Sequence, residues 1–467
     1  MKRFVYLTLA FLLVLTSFMP SSLAVEEYQL DNDIDVSAVV LADLDSGTIL
    51  YSKNADSQVY PASTTKIMTI MLALENLNLD DTMTINEAAT NYPSTQSLVG
   101  FKANEEVKVK DVIYSTMLAS GNDGACALAI EVSGSTTEFA NMMNEKALAL
   151  GMTSTKFVNP HGVQNVEHYT TASDMLKLTR YAMQNETFRD IVSTSKYTIP
   201  ATNKRSTSLT VENTNKLIVK QYADKDKQNE YYYEYATGIK TGSTPAAGGC
   251  LVASAEKDGT RLVALIYKDE SSDGVDRWKL AKSLFDYGFS NYSTVNLTQL
   301  LSSSAITKLI DNGATENGQS NIATFAPAFT DDIYLTADID TINAIKANPS
   351  SVTIDTQFND DIAAPLTKGT KYGTATINYN GDTLSTIDLF AAADMEASVS
   401  GGASSVVTPQ ETINPDEIFN ESNISPWWWL LFPGILIIIL VIRIITVNKR
   451  KRLNVRRHVR PYHYRIK

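Results

Sequence analysis

The sequence of 467 residues contains only two cysteines, Cys126 and Cys250, which excludes a disulfide-stapled scaffold. Histidine is nearly as scarce. Of the four in the chain, His458 and His463 lie near the C-terminus, and no cysteine has metal-ligand spacing with a histidine. A His-rich metal centre is therefore not expected, and a Ser-His-Asp triad would have to draw on His161 or His168. Bases are sparse where a nucleic-acid surface would need them. Two of the 40 Lys and Arg fall in residues 1–24 and ten in 427–467, leaving 28 against all 52 acids in 25–425, a net of −24. Nucleic acid is excluded as a partner on that balance. No internal repeat is present, so a repeat array is not expected either.

The two ends of the chain carry the long apolar runs. Lys2 and Arg3 precede an apolar run over 4–15, and Ser22-Leu23-Ala24 offers a small-residue cleavage site. Residues 1–24 are expected to be a signal peptide, with an uncleaved anchor as the alternative. Trp427-Trp428-Trp429 opens a second run, over 427–447, whose length matches the hydrocarbon thickness of a bilayer. Residues 448–467 follow with nine Lys or Arg and no acid, so the positive-inside rule makes them a cytoplasmic tail. Arg443, near the basic end of the run, can snorkel to the interface. The expectation is a single-pass membrane protein with its main body outside the cytoplasm, joined to the span by a linker over 396–426 that contains Gly, Ser and Pro.

Between these ends, Val39-Val40-Leu41-Ala42 and Thr48-Ile49-Leu50-Tyr51 read as strands about an Asp45-Ser46-Gly47 turn. The stretch "PASTTK" then leads into the apolar series Ile67, Met68, Ile70, Met71, Leu72 and Leu74, a buried helix. Ser63 falls at its first turn and Lys66 lies three residues on, on the same face. Serine there suits a helix N-cap as well as a nucleophile. Ser-x-x-Lys also occurs at Ser193 to Lys196 and Ser254 to Lys257, so the motif alone is weak. Ser120-Gly121-Asn122-Asp123 marks a junction between two helical stretches. Lys240-Thr241-Gly242-Ser243 precedes two buried-strand runs, 251–254 and 261–267, joined through Asp258-Gly259, with Gly242 expected to let a ligand approach the backbone.

Taken in order, Ser63-x-x-Lys66, Ser120-x-Asn122 and Lys240-Thr241-Gly242 resemble the motif set of the penicillin-binding proteins, and of their low-molecular-weight D-alanyl-D-alanine carboxypeptidases in particular. Flanking text such as "YPASTTKIMT", "SGNDGACALA", "TKFVNPHGV" and "GIKTGSTPAAGGCLVASA" extends the likeness over roughly residues 35 to 290. The resemblance implies an α/β (α+β) catalytic domain over 25–290, an antiparallel sheet flanked by helices, followed by a small all-β domain over 292–395. It implies a serine hydrolase that takes the terminal D-Ala from peptidoglycan pentapeptides ending in D-Ala-D-Ala, is acylated by β-lactams, and needs no cofactor or metal. Ser63 would be the nucleophile and Lys66 its base, with Ser120 relaying a proton. Asn122 would hold Lys66 and the substrate amide, Lys240 and Thr241 the substrate carboxylate. Backbone N–H groups of Ser63 and Ser243 would form the oxyanion hole. Many family members carry histidine where this chain has Ser243.

His161, beside Pro160 and Gly162, reads as structural, and Cys126 as a buried small residue near the site. Three alternatives share the motifs: a D,D-endopeptidase on cross-links, a class A β-lactamase, and a non-catalytic penicillin-binding-like scaffold. The lactamase would need a carboxylate for the deacylating water, and Glu167, followed by His168-Tyr169-Thr170-Thr171, does not supply the pattern. In the second domain, Asn380-Gly381 between alternating runs is a hairpin signal.

Overall fold

Val36–Asp43 (β1) is apolar at almost every position, and in the computed structural model it is buried on both faces. The structure describes residues 25–397 apart from 26, 32–33, 222–228, 272–273, 303–304, 311–312, 315–320 and 360–361. The expected signal peptide, span and tail, and the linker beyond residue 397, lie outside the described residues. No helix among the described residues is long and apolar enough to cross a membrane.

β1 pairs with β2 (Ile49–Lys53), and the central sheet continues through β3 (Ala236–Thr244), β4 (Gly248–Lys257) and β5 (Thr260–Asp269) in the order β2-β1-β5-β4-β3, antiparallel throughout. Strand side chains alternate between faces, so an apolar run feeds two cores at once. Ala38, Val40, Val252, Leu265 and Tyr267 face one core, shared with the helix Lys66–Asn76 (α1). Val39, Leu41, Leu251, Ala253 and Ile266 face the other, against Trp278, Leu284 and Phe285 of the helix Asp276–Asn291. Each fully buried valine, leucine, isoleucine or phenylalanine among them contributes ~1.5–3 kcal/mol of apolar transfer free energy. The strands β4 and β5 join at Asp258-Gly259, both at positive φ as a tight hairpin requires.

The first core extends into a helical subdomain that includes Val109–Ala119 (α2) and Asn122–Ser133 (α3). α2 ends and α3 begins within three residues because Ser120 adopts the left-handed conformation, φ +60. β3 is the sheet edge, and the turn before α1 packs beside it, so the motifs converge where sheet and subdomain meet.

The second domain is a five-stranded antiparallel sheet that includes the hairpin Lys371–Tyr379 and Asp382–Ala391 about Asn380-Gly381. It is a β domain with two α-helical additions to the all-β expectation, a single turn at Leu297–Leu300 and a longer helix. Ile339–Ala347 is helical, its Ile342 and Ile345 filling the core beneath the sheet and Asp338 capping Thr341 N. Glu396–Ala397, expected in the linker, pair instead with Gly313–Ala314. The domain docks on the turn after β1, where Thr294 Oγ1 donates to Asp43 Oδ2 at 2.7 Å and Ser46 Oγ meets Thr336 Oγ1 at 2.7 Å.

Candidate active site

Ser63 lies in a 3-10 turn, Ala62–Thr65, that runs directly into α1. It is not a helix cap: neither the turn nor α1 has a side-chain cap hydrogen bond, and Ser63 Oγ instead accepts from Lys66 Nζ at 3.1 Å. Ala62, beside it, is held at φ +46, a conformation that costs a non-glycine residue ~1–2 kcal/mol and persists only when its surroundings impose it. Those surroundings are visible. Thr65 Oγ1 donates to Ala62 O at 2.8 Å, and His168 Nε2 lies 2.8 Å from the same Thr65 oxygen. His168 Nδ1 accepts from Val158 N, so its proton sits on Nε2 and points at Thr65. Burial pushes His168 down to about 4, which keeps it neutral and in this role.

Lys66 Nζ has three acceptors: Ser63 Oγ at 3.1 Å, Asn122 Oδ1 at 2.8 Å and the His161 carbonyl at 2.9 Å. The side chain is wholly buried, and desolvation followed by the positive charge of Lys240 holds its pKa well below the usual lysine range. Once neutral, the amine keeps two protons for Asn122 and His161 and its lone pair accepts from the Ser63 hydroxyl, reversing the hydrogen bond between them, which is the polarity a base requires. Lys240 is buried on β3, donates to Thr241 O at 3.1 Å, and is pushed down to about 7 by burial.

Lys66 thus contacts both Ser63 and Asn122, and Lys240 is within electrostatic reach. Ser120 is 5% exposed and stands on its strained turn, but its Oγ is not among the Lys66 partners. Thr241 Oγ1 pairs with Thr214 Oγ1 at 2.7 Å, and Ser243 is exposed on the edge strand. Gly242 lies against the turn that carries Ser63. A Cβ there would stand 3.0 Å from Ser63 N and 3.1 Å from Ala62 Cβ.

The other Ser-x-x-Lys pairs are engaged elsewhere: Lys196 with Glu212 at 2.7 Å, Ser254 with Thr237 at 2.8 Å. His161 is buried and pushed down to about 3, and Nδ1 accepts from Val163 N, so only its backbone carbonyl serves Lys66. Cys126 lies against Tyr92 Oη at 2.6 Å and burial pushes its thiol up to about 11, which leaves it a neutral core residue. Glu167 is exposed and pairs with Lys156 at 2.9 Å, so it activates no water in the cleft.

A family model described as D-alanyl-D-alanine carboxypeptidase matches residues 24–271, more than half of the chain. The chain belongs to this family. A second model, described as the C-terminal domain of penicillin-binding protein 5, matches residues 313–397. The D-alanyl-D-alanine carboxypeptidase DacF of Bacillus subtilis is 30% identical over 404 residues, 85% of this chain and 95% of that one. A D-alanyl-D-alanine carboxypeptidase of a Streptomyces species is 35% identical over 260 residues, 52% of this chain and 84% of its own. Among solved structures, penicillin binding protein 5 from Haemophilus influenzae aligns with a TM-score of 0.55 at 26% identity, covering 79% of this chain and 100% of that one.

Within this carboxypeptidase fold, sequence reading missed the supports of the motif residues. Gln96 accepts from Asn122 Nδ2 at 2.8 Å, and Asp123 takes the backbone N–H groups of Val99, Gly100 and Phe101 at 2.8–3.0 Å. His168 and Gly162 hold the Ala62 turn. Asp123 adjoins the second motif and had some signal there. The others are joined to the site only by folding.

Proposed function

We propose that this chain is a membrane-anchored serine D,D-carboxypeptidase of the cell wall, its catalytic domain outside the cytoplasm. It removes the terminal D-Ala from peptidoglycan stem peptides and is acylated by β-lactams at the same serine. The observation that carries the reading is the buried Lys66 amine, 3.1 Å from Ser63 Oγ and held by Asn122.

Ser63 Oγ attacks the carbonyl carbon of the penultimate D-Ala while its proton passes to Lys66. The negative charge that develops on the carbonyl oxygen is met by the N–H groups of Ser63 and Ser243, donors fixed before the charge appears. The carbon–nitrogen bond then breaks, and the Lys66 proton reaches the leaving amine through Ser120, releasing D-Ala. Water, deprotonated in turn by Lys66, attacks the ester carbonyl; the bond to Ser63 Oγ breaks as Lys66 returns the proton to it, and the shortened peptide leaves. Lys240 and Thr241 bind the terminal carboxylate. The apolar run 427–447 and the basic tail 448–467 supply the anchor and its orientation.

Washed membranes carrying the full-length chain should release D-Ala from a pentapeptide ending in D-Ala-D-Ala, and labelled penicillin should mark the tryptic peptide that contains Ser63. Absence of both would overturn the enzymatic reading, and activity confined to the soluble fraction would overturn the anchor.

The pH profile follows from the two lysines. Activity needs Lys66 neutral and Lys240 charged, so kcat/KM should rise as pH passes the depressed Lys66 pKa and fall as it passes about 7, where free Lys240 loses its proton. Lys240→Arg, charged at every accessible pH, should remove the upper limb. An unchanged upper limb in that variant would assign it to another group. Stability runs the other way on this group: the unfolded chain binds the Lys240 proton more tightly than the fold does, so its contribution rises with pH from about 7 to the ordinary lysine range.

A further inference from the structure

Gln96 belongs to no motif. It sits in the segment between the 3-10 turn Glu87–Thr90 and α2, half-buried at the mouth of the site. The first turn of α3 grips this segment at several points. Asn122 N donates to Ser97 O at 2.8 Å, the Asp123 carboxylate takes the three N–H groups from Val99 to Phe101, and Asn122 Nδ2 donates to Gln96 Oε1 at 2.8 Å.

The last of these contacts bears on the chemistry. A primary amide has an acceptor end and a donor end, and half a turn about its terminal bond exchanges them. Lys66 Nζ approaches Asn122 with N–H protons, so only the Oδ1 end can receive it. Gln96 Oε1 is an acceptor and pairs only with the Nδ2 end. Lys66 fixes which end of the Asn122 amide faces it, and Gln96 holds the other end in place, occupying one of the two Nδ2 protons and leaving the second for a substrate carbonyl.

We propose that Gln96 is a positioning residue for acyl transfer, holding the Asn122 amide so that Oδ1 stays on Lys66 and one Nδ2 proton faces the substrate. The proposal rests on the reading of Ser63 and Lys66 above. The charged and titratable groups around Lys66 are Lys240 from β3, Asp123 and Cys126 from α3, and the neutral His161 from its loop. A carboxylate at position 96 would add one negative charge to this set, one side chain removed from Lys66, and would oppose the effect of Lys240.

Two variants of the full-length protein separate positioning from packing, read by the rate of acylation with a fluorescent penicillin, by D-Ala release across pH, and by thermal unfolding. Gln96→Leu keeps the bulk and loses the acceptor; acylation should slow by about tenfold, the equivalent of ~1.4 kcal/mol, with the unfolding temperature little changed. Gln96→Glu keeps the acceptor; acylation should persist, with the acid limb of kcat/KM moved to higher pH as the added charge favours protonated Lys66. The shifted limb shows that residue 96 is coupled to Lys66, and acylation kept in Gln96→Glu but lost in folded Gln96→Leu shows that the acceptor and not the packing is needed; where Gln96→Leu does not fold, lost acylation or an unmoved limb in Gln96→Glu overturns the proposal. An unmoved limb in Gln96→Glu, or acylation of folded Gln96→Leu within twofold of wild type, overturns the proposal while wild-type activity leaves the enzymatic reading intact. Wild type that neither binds penicillin nor releases D-Ala overturns both.

Discussion

Ser63→Ala should lower D-Ala release by ~10³-fold or more and abolish labelling by penicillin, without loss of the fold. Ser63 Oγ receives a single hydrogen bond, from Lys66, and caps no helix, so its removal leaves the turn and α1 supported as before. Lys66→Met, which keeps length and apolar bulk but no amine, should cost nearly as much, because the hydroxyl then has no base and Asn122 Oδ1 and His161 O lose their shared donor. The double variant should be no slower than Ser63→Ala alone, since residues that act as one unit lose their effect together. Steady-state D-Ala release and mass spectrometry of the penicillin adduct measure this. Additive losses in the double variant would mean that Lys66 serves something other than activation of Ser63.

Gly162→Ala should be the most damaging substitution outside the motif residues. An added Cβ would lie 1.8 Å from Ala62 O and 2.3 Å from Ala62 C, and both are backbone atoms that cannot swing aside. Residue 162 also has φ +84, where any side chain is strained. Strain and overpacking together cost about 3 kcal/mol or more, a fall in melting temperature of roughly 6–12 °C for a domain of this size. Relief of the clash must displace the turn that carries Ser63, so acylation should fall with stability. Gly259→Ala is the control. Its φ is +80 and its Cβ would meet nothing within 4 Å, so it should show the strain alone, with acylation unchanged. Equal behaviour of the two variants in acylation would remove the Ala62 turn from the account.

The chemistry was legible because it is concentrated in short motifs whose residue types are specific. A serine and a lysine one helical turn apart must meet if the helix forms, and the apolar series from Ile67 to Leu74 ensures that it does. The Asp258-Gly259 and Asn380-Gly381 hairpins were legible for a similar local reason, since both turns demand positive φ. The helix Ile339–Ala347 was not, because its five apolar side chains, two of them alanine, are short of a full amphipathic stripe and its Asp338 cap is a common residue in that region.

By itself, then, the sequence determined a candidate nucleophile and base, the order of the three motifs and the family they resemble. These are properties of spacing along the chain. That Ser63 is uncapped, that Gly242 and Gly162 make room for the turn that carries it, and that Gln96 and His168 support the site were decided only by tertiary structure. The physical reason is burial. Lys66 has the lowered pKa that a base needs because it is wholly buried beside a second buried lysine, and no stretch of "PASTTK" encodes that desolvation locally.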